Sequence, residues 1–326
     1  MLKIDCHVHL VGDGSSGSGC WFRLDTLFRR LQARGMIRGM GIDSAYLSGG
    51  LDDVYVEKLA SLVRESSLDA AVLLAQDIPY DDAGNPLREK ARFHVPNDYW
   101  FKVGADHPDV FIPAVSIHPG RRDAMEELQR CIDRGARVLK LLPNCLNIDF
   151  SRESFRPFWN RMAESAMILL SHTGGEKTLP VINPKLADPE YLRSPLDCGV
   201  TVIAAHAAGR TGIFDPDYTD ALIDLFAEYP HCYADNSALC SLNRARTLPR
   251  ILKEEVMPRI IHGSDLPVPI MGSGPWMDGV IRWKDYRRCR KISNAIERDY
   301  QLKRAIGFSE ETFTRMGELM ESGAEG

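Results

Sequence analysis

The feature that most constrains this chain is a series of apolar segments of strand length that recurs almost from end to end. Most are unbroken rather than alternating, as in strands covered on both faces, and helical stripes such as Met125, Leu128 and Ile132 lie between them. The segments are found at residues 1–10, 70–74, 110–117, 138–142, 168–170, 200–205, 232–234 and 259–261. Eight strands alternating with helices in 326 residues predict an α/β fold of the (β/α)8 type, the TIM barrel.

The main alternative is an open doubly wound sheet, which would carry a glycine-rich phosphate loop after an early strand. Residues 12–21, GDGSSGSGCW, lack the G-x-G-x-x-G register followed by a helix. They predict a mobile loop that is either a surface linker or a flap over a site. We therefore expect a single barrel domain over residues 1–326, with a C-terminal extension from about residue 271 that forms a lid or an oligomer arm.

Composition narrows the class of function. A net charge of -5 argues against an extended nucleic-acid surface. The eight cysteines include no Cys-x-x-Cys pair, which excludes a zinc ribbon and a redox motif. The first ten residues contain Lys, Asp and His, and no window approaches the ~18 apolar residues of a membrane span. We expect a cytoplasmic protein that acts on a small molecule, binds neither nucleic acid nor membrane, and forms a homodimer.

Barrels of this type build their sites at the C-terminal ends of the strands, and several of these strands end in polar side chains. The first ends in DCHVH, where alternation places Asp5, His7 and His9 on one face. Two imidazoles one pleat apart form half of a site for zinc or a similar ion, although a His-x-His pair alone is a weak signal. Later strands supply Lys140 in VLKLLP, His172 in ILLSHTGG, His206 in VIAAHAAG and Asp265 in IIHGSD.

This ordered set resembles the amidohydrolase superfamily of metal-dependent barrels. The motifs SHTGG, AAHAAG and HGSDLP are similar to those of the branch typified by aminocarboxymuconate semialdehyde decarboxylase and related hydrolases, the amidohydrolase 2 family. The resemblance covers about residues 1–270. It implies an enzyme with one or two divalent ions per chain, zinc or alternatively manganese. The implied ligands are His7, His9, Lys140, His172, His206 and Asp265.

The resemblance also implies a mechanism. Ligation by the histidines of strands one and five and by Asp265 leaves a position for a water, whose pKa a metal lowers from ~15.7 to about 7. Asp265 is then the catalytic base that takes the water's proton and returns it to the leaving group. His206 either polarises the substrate carbonyl or ligates a second metal. Lys140 either reacts with carbon dioxide to become a bridging N6-carboxylysine, as in members similar to dihydroorotase, or stays a cation that binds a substrate carboxylate.

Three functions follow from these expectations. We expect a metal-dependent hydrolase that opens an amide, lactone or ester bond in a small polar substrate. A non-oxidative decarboxylase of a carboxylated unsaturated or aromatic acid fits the same ligands. A scaffold protein that has lost turnover is the alternative outside the enzymes.

Four more residues follow strands at positions where substrates are usually contacted, and they are His118, Asn144, Arg210 and Asn236. Arg210 suits an anionic substrate group, the alternative being a solvated loop arginine. His262 lies three residues before Asp265, so alternation directs it towards the helices instead.

Overall fold

The computed structural model describes residues 1–212 and 215–322. Ten strands lie in these residues: β1 (Ile4–His9), β2 (Trp21–Phe22), β3 (Ala70–Leu74), β4 (Phe93–His94), β5 (Phe111–Val115), β6 (Val138–Leu141), β7 (Ile168–Ser171), β8 (Val202–Ala204), β9 (Cys232–Asp235) and β10 (Ile260–Ile261). Eight form a parallel barrel in the order β1-β3-β5-β6-β7-β8-β9-β10, which confirms the predicted TIM barrel. The other two, β2 and β4, pair as a separate antiparallel ribbon.

Helices fill the connections and extend beyond the last strand. They are α1 (Leu27–Gly39), α2 (Leu51–Arg64), α3 (Asn97–Asp106), α4 (Ala124–Asp133), α5 (Pro143–Leu146), α6 (Arg156–Glu164), α7 (Arg193–Asp197), α8 (Thr219–Glu228), α9 (Leu248–Ile251), α10 (Ser273–Met277), α11 (Trp283–Cys289), α12 (Ala295–Ile306) and α13 (Glu310–Ser322). The amphipathic stripe of α2 is buried at Tyr55, Leu59 and Leu62. None of the described helices is long and apolar enough to cross a membrane.

The barrel closes between its first strand and the segment that follows its last strand. The Asp265 amide donates to the His7 carbonyl oxygen at 2.8 Å, and the His9 amide donates to the Leu266 carbonyl oxygen at 2.8 Å. Both hydrogen bonds join segments that carry predicted metal ligands. Closure of the barrel therefore fixes these ligands relative to one another.

A β-bulge in β1 changes which side chains enter the barrel. The pairing of β1 with β3 slips between Asp5 and Val8. Cys6 belongs to the apolar cluster inside the barrel, whereas Val8 packs in the outer layer under the helices. The slip reverses the alternation, so His7 and His9 face the interior but Asp5 faces outward. The prediction that Asp5 shares their face is therefore wrong.

The helices at the end of the chain close the bottom of the barrel and brace its last strand. Met316 of α13 is fully buried within the interior cluster, beside the N-terminal ends of the strands. Lys303 of α12 is also fully buried, and its ammonium donates to the Gly263 carbonyl oxygen and to Asp299. Helix α13 therefore lies at the N-terminal ends of the strands, and α12 packs against the segment that follows β10.

Candidate active site

Three of the predicted ligands converge at the rim of the barrel. The Nε2 atom of His7 lies 3.3 Å from Nε2 of His9 and 3.4 Å from Oδ1 of Asp265. The remaining side, from His9 Nε2 to Asp265 Oδ1, measures 3.2 Å. A tetrahedral ion with bonds of about 2.0–2.1 Å holds adjacent ligand atoms roughly 3.4 Å apart. The spacing of this triad therefore fits a divalent ion.

Asp265 has an unusual backbone conformation and a side chain whose charge suits ligation. Its φ of 68° lies in the left-handed region, which few residues other than glycine adopt. Burial alone would raise the pKa of Asp265, but hydrogen bonding to His9 and the charges of His7 and Lys140 lower it below its ordinary value. The carboxylate is therefore ionised at neutral pH, as metal binding requires.

Lys140 lies beside the triad. It follows the interior residue Val138 by two positions on β6, and its Nζ lies 3.3 Å from His7 Nε2. Burial lowers the pKa of Lys140 to about 8, even though Asp235 and Asp265 act in the opposite direction. A neutral amine is the form that reacts with carbon dioxide, and this pKa makes it a substantial fraction near pH 8.

His172 and His206 form a second group next to the triad. Their ring centroids are 5.1 Å apart, and that of His206 is 5.2 Å from that of His7. The Nε2 atom of His172 is buried and has no hydrogen-bond partner among the described residues. Burial, followed by the charge of Arg244, holds the pKa of both imidazoles well below the ordinary value. Both rings are therefore neutral and retain a lone pair for a ligand.

Backbone geometry turns His206 into the barrel. Ile203 and Ala205 face the interior, so strict alternation would direct His206 outward. The positive φ of His206, Ala207 and Ala208 reverses that direction. The ring consequently lies on the wall of the pocket.

The hydrogen bonds of His206 define its tautomer. The Ser237 hydroxyl donates to Asp235, so it accepts from His206 Nδ1, which lies 2.8 Å away. With the proton on Nδ1, Nε2 offers a lone pair, which suits a metal or a proton but cannot donate to a substrate carbonyl. Of the two predicted roles of His206, this tautomer favours the metal ligand.

Asp235, which the sequence analysis did not select, orients His7. Its Oδ2 accepts from His7 Nδ1 at 2.7 Å, and its Oδ1 accepts from the amides of His206 at 2.8 Å and Ser237 at 3.0 Å. Burial would raise the pKa of Asp235, but its contacts with His7 hold it well below the ordinary value. The alternation rule could have identified Asp235, since Tyr233, two residues earlier, packs against the interior cluster.

The four residues predicted to contact substrate do not line the pocket. Both ring nitrogens of His118 bond to backbone groups, and Oδ1 of Asn144 accepts from the next amide along the chain. Asn236 Oδ1 accepts from the Gly263 amide at 3.2 Å. Arg210 is half-exposed beyond the pocket wall. Three of these side chains thus stabilise loops of the rim.

All six predicted metal ligands line one cavity of about 320 Å³. We call its cover the roof, which consists of α1 and the β2–β4 ribbon. One face of α1 lines the cavity, and Phe22 and Phe93, opposite each other in the ribbon, add aromatic rings. The α1 face consists of Arg29, Gln32, Ala33, Met36 and Ile37.

No residue of the glycine-rich segment at residues 12–21 lines the pocket, as a flap over the site would. The segment folds around the buried carboxylate of Asp52, which accepts from the amides of Asp13, Gly14 and Ser16. Burial and these hydrogen bonds act in opposite directions, and the pKa of Asp52 falls to about 2. Residues 12–20 thus form an ordered loop, and the roof begins at Trp21.

Arg244 is a second pocket residue that the sequence analysis missed. It is 5% exposed, and its guanidinium donates to the carbonyl oxygens of Gly209 at 3.0 Å and Gly175 at 2.5 Å. These glycines follow His206 and His172 by three residues each. Arg244 therefore joins the two loops that carry the second group of histidines. Its position after β9 in an irregular loop gave no periodic signal.

Comparisons with known proteins agree with this fold. The sequence profile described as Amidohydrolase matches residues 4–277. No curated protein matches the chain. An uncharacterised TIM-barrel protein from Bordetella bronchiseptica has a solved structure with 17% identity and a TM-score of 0.58, over 93% of this chain and 100% of its own.

Two other solved structures carry names that describe a reaction. A Pseudomonas putida protein, provisionally described as 2-pyrone-4,6-dicarboxylic acid hydrolase, is 15% identical over 96% of this chain and 93% of its own, with a TM-score of 0.56. The 5-carboxyvanillate decarboxylase of Novosphingobium aromaticivorans, solved with bound manganese, is 10% identical over 91% and 94%, with a TM-score of 0.50. At such identities these structures support the barrel fold only. The profile match over most of the sequence shows that the chain belongs to the amidohydrolase family.

Proposed function

We propose that this protein is a metal-dependent hydrolase that opens an amide, lactone or ester bond in a small substrate. The observation that carries the proposal is the triad of His7, His9 and Asp265 at ligand spacing, with the buried amine of Lys140 beside it. Family membership supports an enzyme. The position of Lys140 supports the hydrolase, because a carboxylated lysine can join two ions.

The residues fit a metal site on two independent observations. The first is the spacing of the triad, and the second is the Nε2 atom of His172, which has no hydrogen-bond partner in the part of the chain that the structure describes. We assign the triad to one ion, with His172, His206 and Lys140 available for that ion or for a second one. Zinc suits these nitrogen and oxygen donors, and manganese is the alternative. A bound divalent ion lowers the pKa of water and polarises a carbonyl group.

The protein's own residues then have distinct tasks. The Asp265 carboxylate, ionised at neutral pH, can accept a proton and return it to a leaving group. Asp235 holds the proton of His7 on Nδ1. The roof covers part of the cavity with apolar side chains.

A second candidate is a non-oxidative decarboxylase. The observation that favours it is Arg244, whose buried guanidinium lines the pocket and can bind a second carboxylate of such a substrate. The two candidates differ in the role of Lys140. The hydrolase uses a carboxylated Lys140 to join two ions, whereas decarboxylation at one ion does not require a bridging carboxylate.

Metal analysis combined with native mass spectrometry tests both candidates. The protein would be purified without chelator and then assayed on lactones, cyclic amides and carboxylated aromatic acids. The hydrolase is supported by two ions per chain together with the added mass of one carbon dioxide. This added mass should be absent in Lys140→Met. One ion without the adduct, together with carbon dioxide release, supports the decarboxylase.

A variant pair completes this test. Asp265→Asn should lose metal and turnover, whereas Asp224→Asn, at an exposed position on α8, should retain both. A wild-type protein that takes up neither zinc nor manganese would overturn both candidates.

A further inference from the structure

The pocket contains a buried arginine that forms no ion pair with a carboxylate of the described residues. Arg244 has five N–H donors, and its hydrogen bonds within residues 1–212 and 215–322 go to two carbonyl oxygens and to no carboxylate. Glu176 has the largest effect of any acid on the pKa of Arg244, but it forms no ion pair with Arg244 within 4.0 Å, and one oxygen of its carboxylate accepts from the Leu179 amide at 2.9 Å. A buried guanidinium with free donors is suited to bind an anion from the ligand.

The arginines of the roof are less suitable for this task. Arg29 and Arg92 both pair with Asp25, at 3.3 and 2.7 Å. These pairs lie near the surface, where solvent weakens them. Arg244 is therefore the most buried of the arginines that line the pocket, which suits it to select a negatively charged substrate.

The roof supplies an apolar surface to the same pocket. Ala33, Met36 and Ile37 lie on the face of α1 that lines the cavity, and Phe22 and Phe93 face it from the ribbon. An apolar wall of this kind binds a ligand by removing apolar surface from water. A ligand that is polar throughout would leave this wall wet.

We propose that the substrate is an amphiphilic acid, with a carboxylate or similar planar anion bound by Arg244 and an apolar group held under the roof. The proposal rests on the proposed function for the position of the reacting bond, which lies between these two parts at the triad. It adds an apolar portion to the polar substrate expected from the sequence. The binding step itself is independent of turnover.

The charge requirement can be tested by calorimetric titration of the purified full-length protein with octanoate and uncharged octanol. Arg244→Met should lower the affinity for octanoate roughly 10- to 100-fold, the range for a hydrogen-bonded charge. It should lower the affinity for octanol less than about threefold. Arg246→Met, at an exposed position two residues away, is the matched control and should leave the affinity for both ligands unchanged. Arg244→Lys should recover part of the octanoate affinity, since it restores the charge without the planar fork.

Two outcomes would overturn the charge requirement. An unchanged ratio of octanoate to octanol affinity in Arg244→Met would mean that the carboxylate binds elsewhere, for example on the metal. Equal weakening of both ligands would mean that Arg244 only braces the loops of Gly175 and Gly209.

The apolar requirement can be tested with butanoate, hexanoate and octanoate. Affinity should rise about threefold to fourfold per added methylene group. Met36→Gln should reduce this slope, whereas Met125→Gln, on the outer surface of α4, should leave it unchanged. Affinity that is independent of chain length in the wild type would refute the apolar site.

These titrations separate the inference from the proposed function. Binding that depends on Arg244 and on chain length, without hydrolysis of amides or esters of such acids, would retain the amphiphile site and reject the hydrolase. Hydrolysis of small neutral lactones that is insensitive to Arg244→Met would retain the hydrolase and reject the amphiphile site.

Discussion

Replacing Asp235 with asparagine should weaken metal binding although Asp235 is not itself a proposed ligand. One oxygen of its carboxylate accepts from His7 Nδ1 and the other accepts from the amides of His206 and Ser237 and from the Ser237 hydroxyl. In Asp235→Asn the amide oxygen would stay with this larger group of donors. The new NH2 group would then face His7 Nδ1, which must become an acceptor.

This change of hydrogen-bond partner would move the proton of His7 to Nε2, the atom that belongs to the triad. A protonated Nε2 cannot ligate a metal. Loss of such an outer partner typically costs 10–100-fold in metal affinity, which corresponds to about 1.4–2.7 kcal/mol. We expect the upper part of this range, because Asp235 is fully buried and no water can take its place.

The measurement is competition for zinc and for manganese between the protein and a chromophoric chelator at neutral pH. Asp224→Asn, which makes the same chemical change on the surface of α8, is the control and should match the wild type. Thermal unfolding of the metal-free proteins would report any general loss of structure. A metal Kd within about threefold of wild type in a folded Asp235→Asn protein would refute the tautomer argument.

Three further predictions concern stability and packing. Burial lowers the pKa of Lys140 from 10.5 to about 8, so Lys140→Met should stabilise the metal-free protein by about 3 kcal/mol below pH 8, as measured in urea. Gly263→Ala should weaken metal binding in the chelator assay, because a Cβ there would lie 2.8 Å from His7 Cβ. Lys303→Met should cost about 3–5 kcal/mol in urea, because it leaves a buried carboxylate uncompensated.

Controls make these three predictions specific. The stability gain from Lys140→Met should vanish between pH 8 and 10.5. In this range Lys140 is neutral in the folded wild type but still protonated in the unfolded chain, so the wild type becomes more stable as the pH rises. A gain that does not change with pH would contradict the argument. Gly35→Ala, with open space around its Cβ, should leave metal affinity unchanged. Breaking the more exposed Arg29–Asp25 pair should cost less than about 1 kcal/mol, and an equal loss for Lys303→Met would reject the argument from burial.

Local periodicity was sufficient for the barrel and for much of the site. Unbroken apolar segments predicted all eight barrel strands, because a strand covered on both faces must be apolar whatever its neighbours are. The end of each strand then identified polar residues that share one rim. His7, His9 and Asp265 meet there because parallel strands end at the same edge of a barrel.

The direction of individual side chains was decided by the tertiary structure. Alternation failed for Asp5, where a bulge in β1 reverses the faces, and for His206, where a positive φ does the same. The bulge depends on the pairing of β1 with β3, and the turn at His206 contains a hydrogen bond from the His206 amide to Asp235, 29 residues later in the chain. The alternation of residues along the sequence does not predict such a reversal.

The sequence by itself thus determined the fold class and which residue types stand at the rim. Only the tertiary structure decided what surrounds them: Asp235 behind His7, Arg244 between two loops, and α1 with the β2–β4 ribbon over the pocket. The physical reason is that a strand's burial follows from its own side chains, whereas hydrogen-bond partners and pocket walls come from segments far apart in the chain.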